Sequence, residues 1–405
     1  MRVRQFAHTF GSRALKTAFY GAVFLFFIAP LLRLLLMSFA GEAGYDASHY
    51  VRLLAEERTR LAVRNTAIIG TSATAFSVLF GGGFAFLVAY ANLKRRRLAE
   101  GLILLPFIIP SYIITLSWTG LLSGNGAINT WLTSTGLPAV NLYSMGGIIF
   151  VHGMCATPIV YMIVKAMLRR IPVDLEWASM AAGYTRRQTM LRINLALAAP
   201  AVASGAMLSF LATIDNFSIP AFLGISSGIP VLSTYIYEKA IGFGPSSFSD
   251  AAVLSVLLSL LAIGGTLLEG FFVKRSPGLE SVGEDASTRI ELTPKVRAAV
   301  EWSLLGGLFA FNIVPLLFMA LSAMQKRYGL GYAADNLTVE NFRALLTNAG
   351  VLRAVRNSLL LASVTCAVCI VVGTAAAYLK VRKKSGAVKV LEKSASLAHA
   401  IPGIV

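Results

Sequence analysis

The stretch DLEWASMAAGYTRRQTMLRINLALAAP, residues 174–200, carries two acids and three arginines in a chain that is otherwise oily on either side of it. Pro172 and Asp174 suit a helix start, because proline fits the first turn and aspartate can accept from the free N–H groups there. Leu175, Ala178, Ser179 and Ala182 recur at i, i+3, i+4 and i+7, which gives one small, smooth helical face. Gly183 can take the left-handed conformation that ends a helix. Thr185 to Gln188, TRRQ, has capping-box spacing and starts a second helix, which carries Ile193, Leu195 and Leu197 toward the next apolar run. The pattern predicts a short helix, a sharp turn and another helix, too polar to span a bilayer. A small-residue face lets another protein approach closely, and Arg186, Arg187 and Arg192 suit an acidic or phosphate-rich neighbour. An amphipathic helix resting on lipid headgroups fits the periodicity equally well.

The surrounding sequence reads as membrane-spanning. The 405 residues are 56% hydrophobic and 14% charged, with a mean hydropathy of +0.70. Uninterrupted apolar runs of about 20 residues point to spanning helices. Eight complete runs lie near 17–40, 65–91, 99–121, 145–168, 197–222, 250–273, 298–323 and 357–379, and a ninth begins near 394. The first follows MRVRQFAHTFGSRALK; its length, with Pro30 and Arg33 inside it, marks a retained span rather than a cleaved signal. The expected fold class is an all-α polytopic membrane protein.

The net charge of +17 is placed, not spread. With the N-terminus inside, 25 of the 36 Lys and Arg fall in inner segments and 10 in outer ones, with Arg33 in the first span. That is the bias of cytoplasmic loops. A nucleic-acid surface would need a soluble domain to carry it, so no nucleic acid is expected as a partner. Cys366 and Cys369 form CAVC inside an apolar span, away from any βαβ unit, and Cys155 reads as apolar filler, so no redox role follows.

The chain also repeats itself. HYVRLL at 49–54 matches NFRALL at 341–346, RNTAIIG at 64–70 matches RNSLLLA at 356–362, Gly81 matches Gly373, and IIPSYI at 108–113 matches AIPGIV at 400–405. Every pair is offset by 292 residues (341 minus 49, 402 minus 110). Six spans separate equivalent points, an even number, so the two copies share one orientation and are expected to be related by a pseudo-two-fold axis along the membrane normal. The units are expected at 1–273 and 298–405, joined by a polar cytoplasmic linker at 274–297 rich in Pro, Gly and Ser and read as flexible. The second copy stops three residues past Pro402, so the chain is expected to be C-terminally truncated in the third span of that unit, and not to transport in this form.

With these features assembled, residues 174–196 resemble the cytoplasmic loop of binding-protein-dependent ABC importer permeases. That loop has the form Glu-Ala-Ala, three residues, Gly, nine residues, Ile, one residue, Leu-Pro. Gly183, Ile193 and Leu195 stand at the matching spacings and Ala178 takes the first alanine position. Trp177 stands at the strict glutamate position with Glu176 one earlier; Ser179 replaces the second alanine and Ala196 the proline. The resemblance implies a type I importer-like fold of two parallel six-span units. It also implies an ATPase-coupling role for Glu176, Ala178, Ser179, Gly183, Ile193 and Leu195. Two fused units resemble ferric-iron importer permeases, with thiamine importer permeases as relatives, and residues 215–240 are similar to the iron-type sequence after the loop. The implied partners are a cytoplasmic ABC ATPase dimer, which would hold ATP and Mg, and a periplasmic or extracellular substrate-binding protein. The implied location is the bacterial inner membrane with a cytoplasmic N-terminus. Ferric iron is the expected cargo; thiamine, polyamine or phosphonate-like solutes are the alternatives.

No GxxxxGK[ST] occurs, and GGG at 81–83 reads as close helix packing rather than a phosphate cradle. No HExxH, GxSxG or paired intramembrane acids suggest an enzyme; no catalytic residue, metal site or resident cofactor is expected. A secondary transporter, the remaining alternative, would need no docking loop. Asp215 and Asn216 are candidates for the path or its outer gate, or simply mark the end of the fifth span. Pro110 and Pro402 occupy equivalent places and can kink their spans, as gate elements or as ordinary packing kinks. His152 in the fourth span reads as a helix–helix hydrogen bonder.

Overall fold

The computed structural model describes residues 25, 28–41, 44–124, 126–242, 244, 246–274, 283–285, 287–327 and 332–383. Helix α1 (Ala29–Ser38) leads through a two-residue antiparallel pair, β1 (Ala40–Gly41) and β2 (Gly44–Tyr45), to α2 (Ser48–Ala55). The long α3 (Glu57–Tyr90) follows, then α4 (Arg96–Ile108), α5 (Ser111–Leu121), α6 (Ala127–Ser134) and α7 (Met145–Leu168). The hairpin comprises α8 (Val173–Ala181) and α9 (Arg186–Thr189), and α9 runs through a π-turn at Met190–Asn194 into α10 (Leu195–Asp215). After α11 (Ser218–Leu223), α12 (Leu232–Ala240) and α13 (Ser247–Lys274), the chain resumes with α14 (Pro294–Leu308), a second π-turn (Phe309–Ile313) and α15 (Val314–Ala323). It ends with α16 (Glu340–Thr347) and α17 (Ala349–Lys383).

Six helices among the described residues are long and apolar enough to cross a membrane, and the bent pair α4–α5 makes a seventh. Only part of the first expected span, as α1, is described; the ninth run and Pro402 lie outside the described residues. The expected fifth span, 197–222, is shifted. One helix runs from Arg186 to Asp215, and Asn216 leaves the helical region with ψ 116°, so α11 is a separate turn of chain.

Helix α3 is the axis of the bundle. Its buried residues Ala62, Thr66, Gly70, Ala73, Ser77, Gly81 and Ala85 return at three- and four-residue steps and form a small-residue seam. A Cβ placed on Gly81 would sit 2.6 Å from the Thr157 carbonyl oxygen, so α7 reaches this backbone only because the side chain is missing. Of the GGG run the packing reading holds at Gly81; among the described residues nothing lies within 4 Å of a Cβ placed on Gly82 or Gly83. Ser77 Oγ and Ser209 Oγ, 2.6 Å apart, tie α3 to α10. One core cluster, with Tyr90, Val160, Tyr161, Leu168, Leu304 and Leu308, joins α3 and α7 to α14.

Two helices recur at the spacing found in the sequence. Ser48–Ala55 and Glu340–Thr347 are each eight residues long and begin 292 residues apart (340 minus 48). Glu57 and Ala349, which open the two longest helices, are separated by the same interval (349 minus 57).

Over its described residues, 283–285 and 287–293, the linker departs from the flexible reading. Helix α13 runs to Lys274 and α14 begins at Pro294. Between them, Asp285, Arg289, Ile290 and Leu292 bond to the ends of α3, α7 and α8. The physical reason is specific pairing: polar residues that would stay solvated in a spacer find fixed donors and acceptors here.

Candidate functional site

The hairpin forms by local rules. At its turn Gly183 has φ +89°, and the Tyr184 N–H reaches back to the Ser179 carbonyl at 3.2 Å. Thr185 and Gln188 form a complete capping box: the Gln188 N–H donates to Thr185 Oγ1 at 3.3 Å, and the Thr185 N–H donates to Gln188 Oε1 at 2.8 Å. The helix start differs from expectation. Asp174 makes no capping bond; the first N–H, of Val173, donates to Asp285 Oδ2 in the linker at 2.7 Å.

The expected face also divides. Ser179 turns inward, its Oγ 2.9 Å from Thr189 Oγ1, and Glu176 is buried beside it. Leu175, Ala178 and Ala182 stay outside, joined by Trp177, Met180 and Tyr184. Ile193 is half-buried in the π-turn and Leu195 is exposed at the foot of α10. Of the three arginines, Arg186 donates to the Arg289 carbonyl, Arg192 stacks over the Tyr184 ring at 5.4 Å, and Arg187 is exposed.

Glu176 anchors a buried polar knot. Its Oε1 accepts from the Arg289 guanidinium and from Asn194 Nδ2 at 2.6 Å; the same amide also reaches the Tyr90 hydroxyl at 3.0 Å. Arg289 further donates to the Ile171 carbonyl at 2.5 Å and to Asp285 at 3.2 Å, and lies 4.9 Å from the centre of the Tyr90 ring. Burial alone would push the Asp285 carboxyl up. Hydrogen bonding from Ser287 and the Val173 N–H, with the Arg289 charge, more than reverses this and holds it below its ordinary 3.8. Asp285, Arg289, Asn194 and Tyr90 were not singled out from sequence. Capping logic could have flagged an acid for Val173, but nothing in a pattern says that it lies beyond residue 280.

The second feature is the broken span. Pro110 cannot donate a helical bond and biases Ile109 to an extended conformation (φ −87°, ψ 129°), and α4 and α5 meet at 101°. Beside the break is a cavity of about 270 Å³, lined by Pro110, Ser111, His152, Cys155, Thr213 and Asn216. Asn216 does double duty. It caps the end of α10 next to Asp215, the last helical residue, and its Nδ2 donates to Ser111 Oγ at 3.0 Å across the break. Asp215 is half-buried at that same end. His152 is 2% exposed, and its Nε2 meets no hydrogen-bond partner among the described residues; the expected helix–helix bond at that atom is not made. A larger cavity of about 300 Å³, walled by Phe76, Phe80, Phe84, Phe150 and Phe311, offers little polar chemistry.

Membrane-length helices, a charged hairpin and a proline-broken span beside a polar cavity define a multi-pass α-helical membrane protein. Residues 77–275, hairpin included, match the family described as the binding-protein-dependent transport system inner membrane component. A Haemophilus influenzae protein named for a ferric transport system permease is 24% identical over 390 residues, 95% of this chain but 60% of its own length. A Salmonella choleraesuis protein named for 2-aminoethylphosphonate transport is 29% identical over 229 residues, 55% of this chain and 78% of its own. In fold, the chain resembles one chain in the crystal structure of a bacterial alginate ABC transporter in complex with an alginate pentasaccharide-bound periplasmic protein. The TM-score is 0.56 at 21% identity, over 67% of this chain and 96% of that one.

Proposed function

We propose that the chain is the permease subunit of an ATP-driven, binding-protein-dependent importer, with ferric iron as cargo. The observation that carries this reading is the hairpin. Its polar groups Glu176 and Ser179 are tied inward, and Leu175, Trp177, Ala178, Met180 and Tyr184 are left as an outward face on an element fused directly to a membrane-length helix. Such a face suits a groove on a second protein. In this reading the partner is a cytoplasmic ATPase dimer holding ATP and Mg, and the hairpin end of the bundle is cytoplasmic, which the placement of Lys and Arg supports. A periplasmic or extracellular binding protein delivers cargo at the opposite end. The chain divides into two units about the linker, and nucleotide-driven movement of the hairpin biases two arrangements of those units. Glu176, Ala178, Ser179, Gly183, Ile193 and Leu195 form the coupling element, the inner three holding its shape and the outer ones making contact. Pro110, Asn216 and Asp215 lie on the path side.

The test is reconstitution with the ATPase subunit and loaded binding protein. Gly183→Pro combined with Ala178→Arg should cut stimulated ATP hydrolysis by about tenfold or more, since proline cannot hold φ +89° and arginine fills the contact face. Stimulation at the wild-type level would remove the docking reading. A second cargo has one specific support, the relative named for 2-aminoethylphosphonate transport. Stimulation by a phosphonate-loaded but not an iron-loaded binding protein would exchange one cargo for the other.

A further inference from the structure

We propose that Arg289 is a positioning residue of the coupling machinery: acting through Glu176, it ties the hairpin to α14, so that the two move as one body. The inference rests on the docking reading of the hairpin and adds to it a role for the linker. Three sets of contacts make the tie.

At the hairpin, Arg289 holds Glu176 and the Ile171 carbonyl, its own carbonyl takes the Arg186 guanidinium, and Asp285 caps α8. At the end of α3, the N–H groups of Arg289 and Ile290 both donate to the Tyr90 carbonyl at 2.9 Å, and the Asn92 N–H donates to the Ile290 carbonyl at 3.2 Å. Toward α14, Asn92 and Leu292 exchange two bonds, 3.2 Å from side-chain amide to carbonyl and 3.1 Å from backbone N–H to Oδ1. Glu301, on α14 and 3% exposed, accepts from the N–H groups of Lys94 and Arg95.

Arginine suits this place because one planar fork can serve several acceptors at fixed angles. Arg289 is 3% exposed, where a residue of a loose spacer would be solvated. A buried charge pair persists only where geometry and extra hydrogen bonds compensate its lost hydration, and here a carboxylate, a carbonyl and an aromatic face do so. Turning the hairpin against Tyr90 without moving the linker would break the bonds that Arg289 and Asp285 make to the hairpin, and the bonds at Tyr90, Asn92 and Glu301 carry that linker on to α14. The hairpin therefore has two mechanical outputs: α10 by chain continuity, and α14 through Arg289.

The test places spin labels at Met180→Cys and Val296→Cys in a chain carrying Cys155→Ala, Cys366→Ser and Cys369→Ser, in lipid nanodiscs, with a second pair at Tyr143→Cys and Tyr237→Cys. Pulsed electron resonance should give one narrow 180–296 distance. Arg289→Ala should abolish that narrow peak while the 143–237 peak stays, and Arg289→Lys, which keeps the charge on Glu176, should retain most of it. An unchanged 180–296 peak in Arg289→Ala overturns the proposal. So does loss of both peaks together, which would make Arg289 a residue of the whole fold. With the ATPase and a loaded binding protein present, Arg289→Ala should cut stimulated ATP hydrolysis by about tenfold. If the wild-type chain shows no stimulation, the docking reading fails, while the distances still judge the tie.

Discussion

Glu176 is 5% exposed and Trp177, its neighbour, 60% exposed. Judged by motif spacing alone, Trp177 occupies the acidic position and Glu176 stands one place early. The backbone settles which of them points inward, and the carboxylate takes the inner side because Arg289 and Asn194 wait there. Removing one partner of a buried pair strands the other, at a cost of about 3–5 kcal/mol. Glu176→Ala should therefore lower the melting temperature of the purified chain sharply, whereas Trp177→Ala should change it little and weaken ATPase association instead; thermal unfolding in detergent and a binding titration separate the two. Gly183, Thr185 and Gln188 were legible because each obeys a rule spanning at most a few residues. Asp285 and Arg289 were not, because their partners Val173 and Glu176 lie 112 and 113 residues away and no periodicity connects them. Ser179 was misplaced onto the outer face for a related reason: helical spacing groups residues by angle but does not say which side the rest of the chain will cover.

At the scale of elements, the linker and the broken span each carry a prediction. Because the folded pKa of Asp285 is depressed, its contribution to docking the linker is complete above the ordinary value of 3.8 and is lost only as pH falls below it. A spin label at Thr288→Cys should then show the same restricted motion at pH 7.5 and at pH 5; release by pH 5 would mean that Asp285 does not cap α8. For the broken span, Pro110→Ala restores a backbone donor and frees Ile109 to become helical, so α4 and α5 should tend toward one straighter helix and narrow the cavity beside His152 and Cys155. With Cys366 and Cys369 replaced, modification of Cys155 by a small thiol reagent should slow; an unchanged rate would show that packing, not the proline, holds the 101° bend. The proline announced a break in the sequence. The angle was not legible, since it depends on α7 and α10 closing on the other side of the cavity.

Across the whole molecule, sequence symmetry and packing symmetry part company. Gly81 and Gly373 are equivalent in the repeat, and they lie at the same place in α3 and α17. Helix α3 is clasped by α7 and α10, while the described residues bury none of the membrane-length stretch Ala349–Thr374 of α17. The same substitution should thus act with opposite sign at the two sites. At Gly81 an alanine methyl meets the Thr157 carbonyl oxygen at 2.6 Å and Val160 Cβ at 3.0 Å, and overpacking of that kind costs about 1–3 kcal/mol. At Gly373 nothing lies within 4 Å among the described residues, so alanine only removes the entropic cost of glycine in a helix, a gain of up to about 1 kcal/mol. Gly81→Ala should lower the melting temperature of the purified chain and Gly373→Ala should hold or raise it. A fall of equal size at both would mean that α17 has a close neighbour at Gly373, packed as α7 packs at Gly81, and that the second copy is as tightly built as the first.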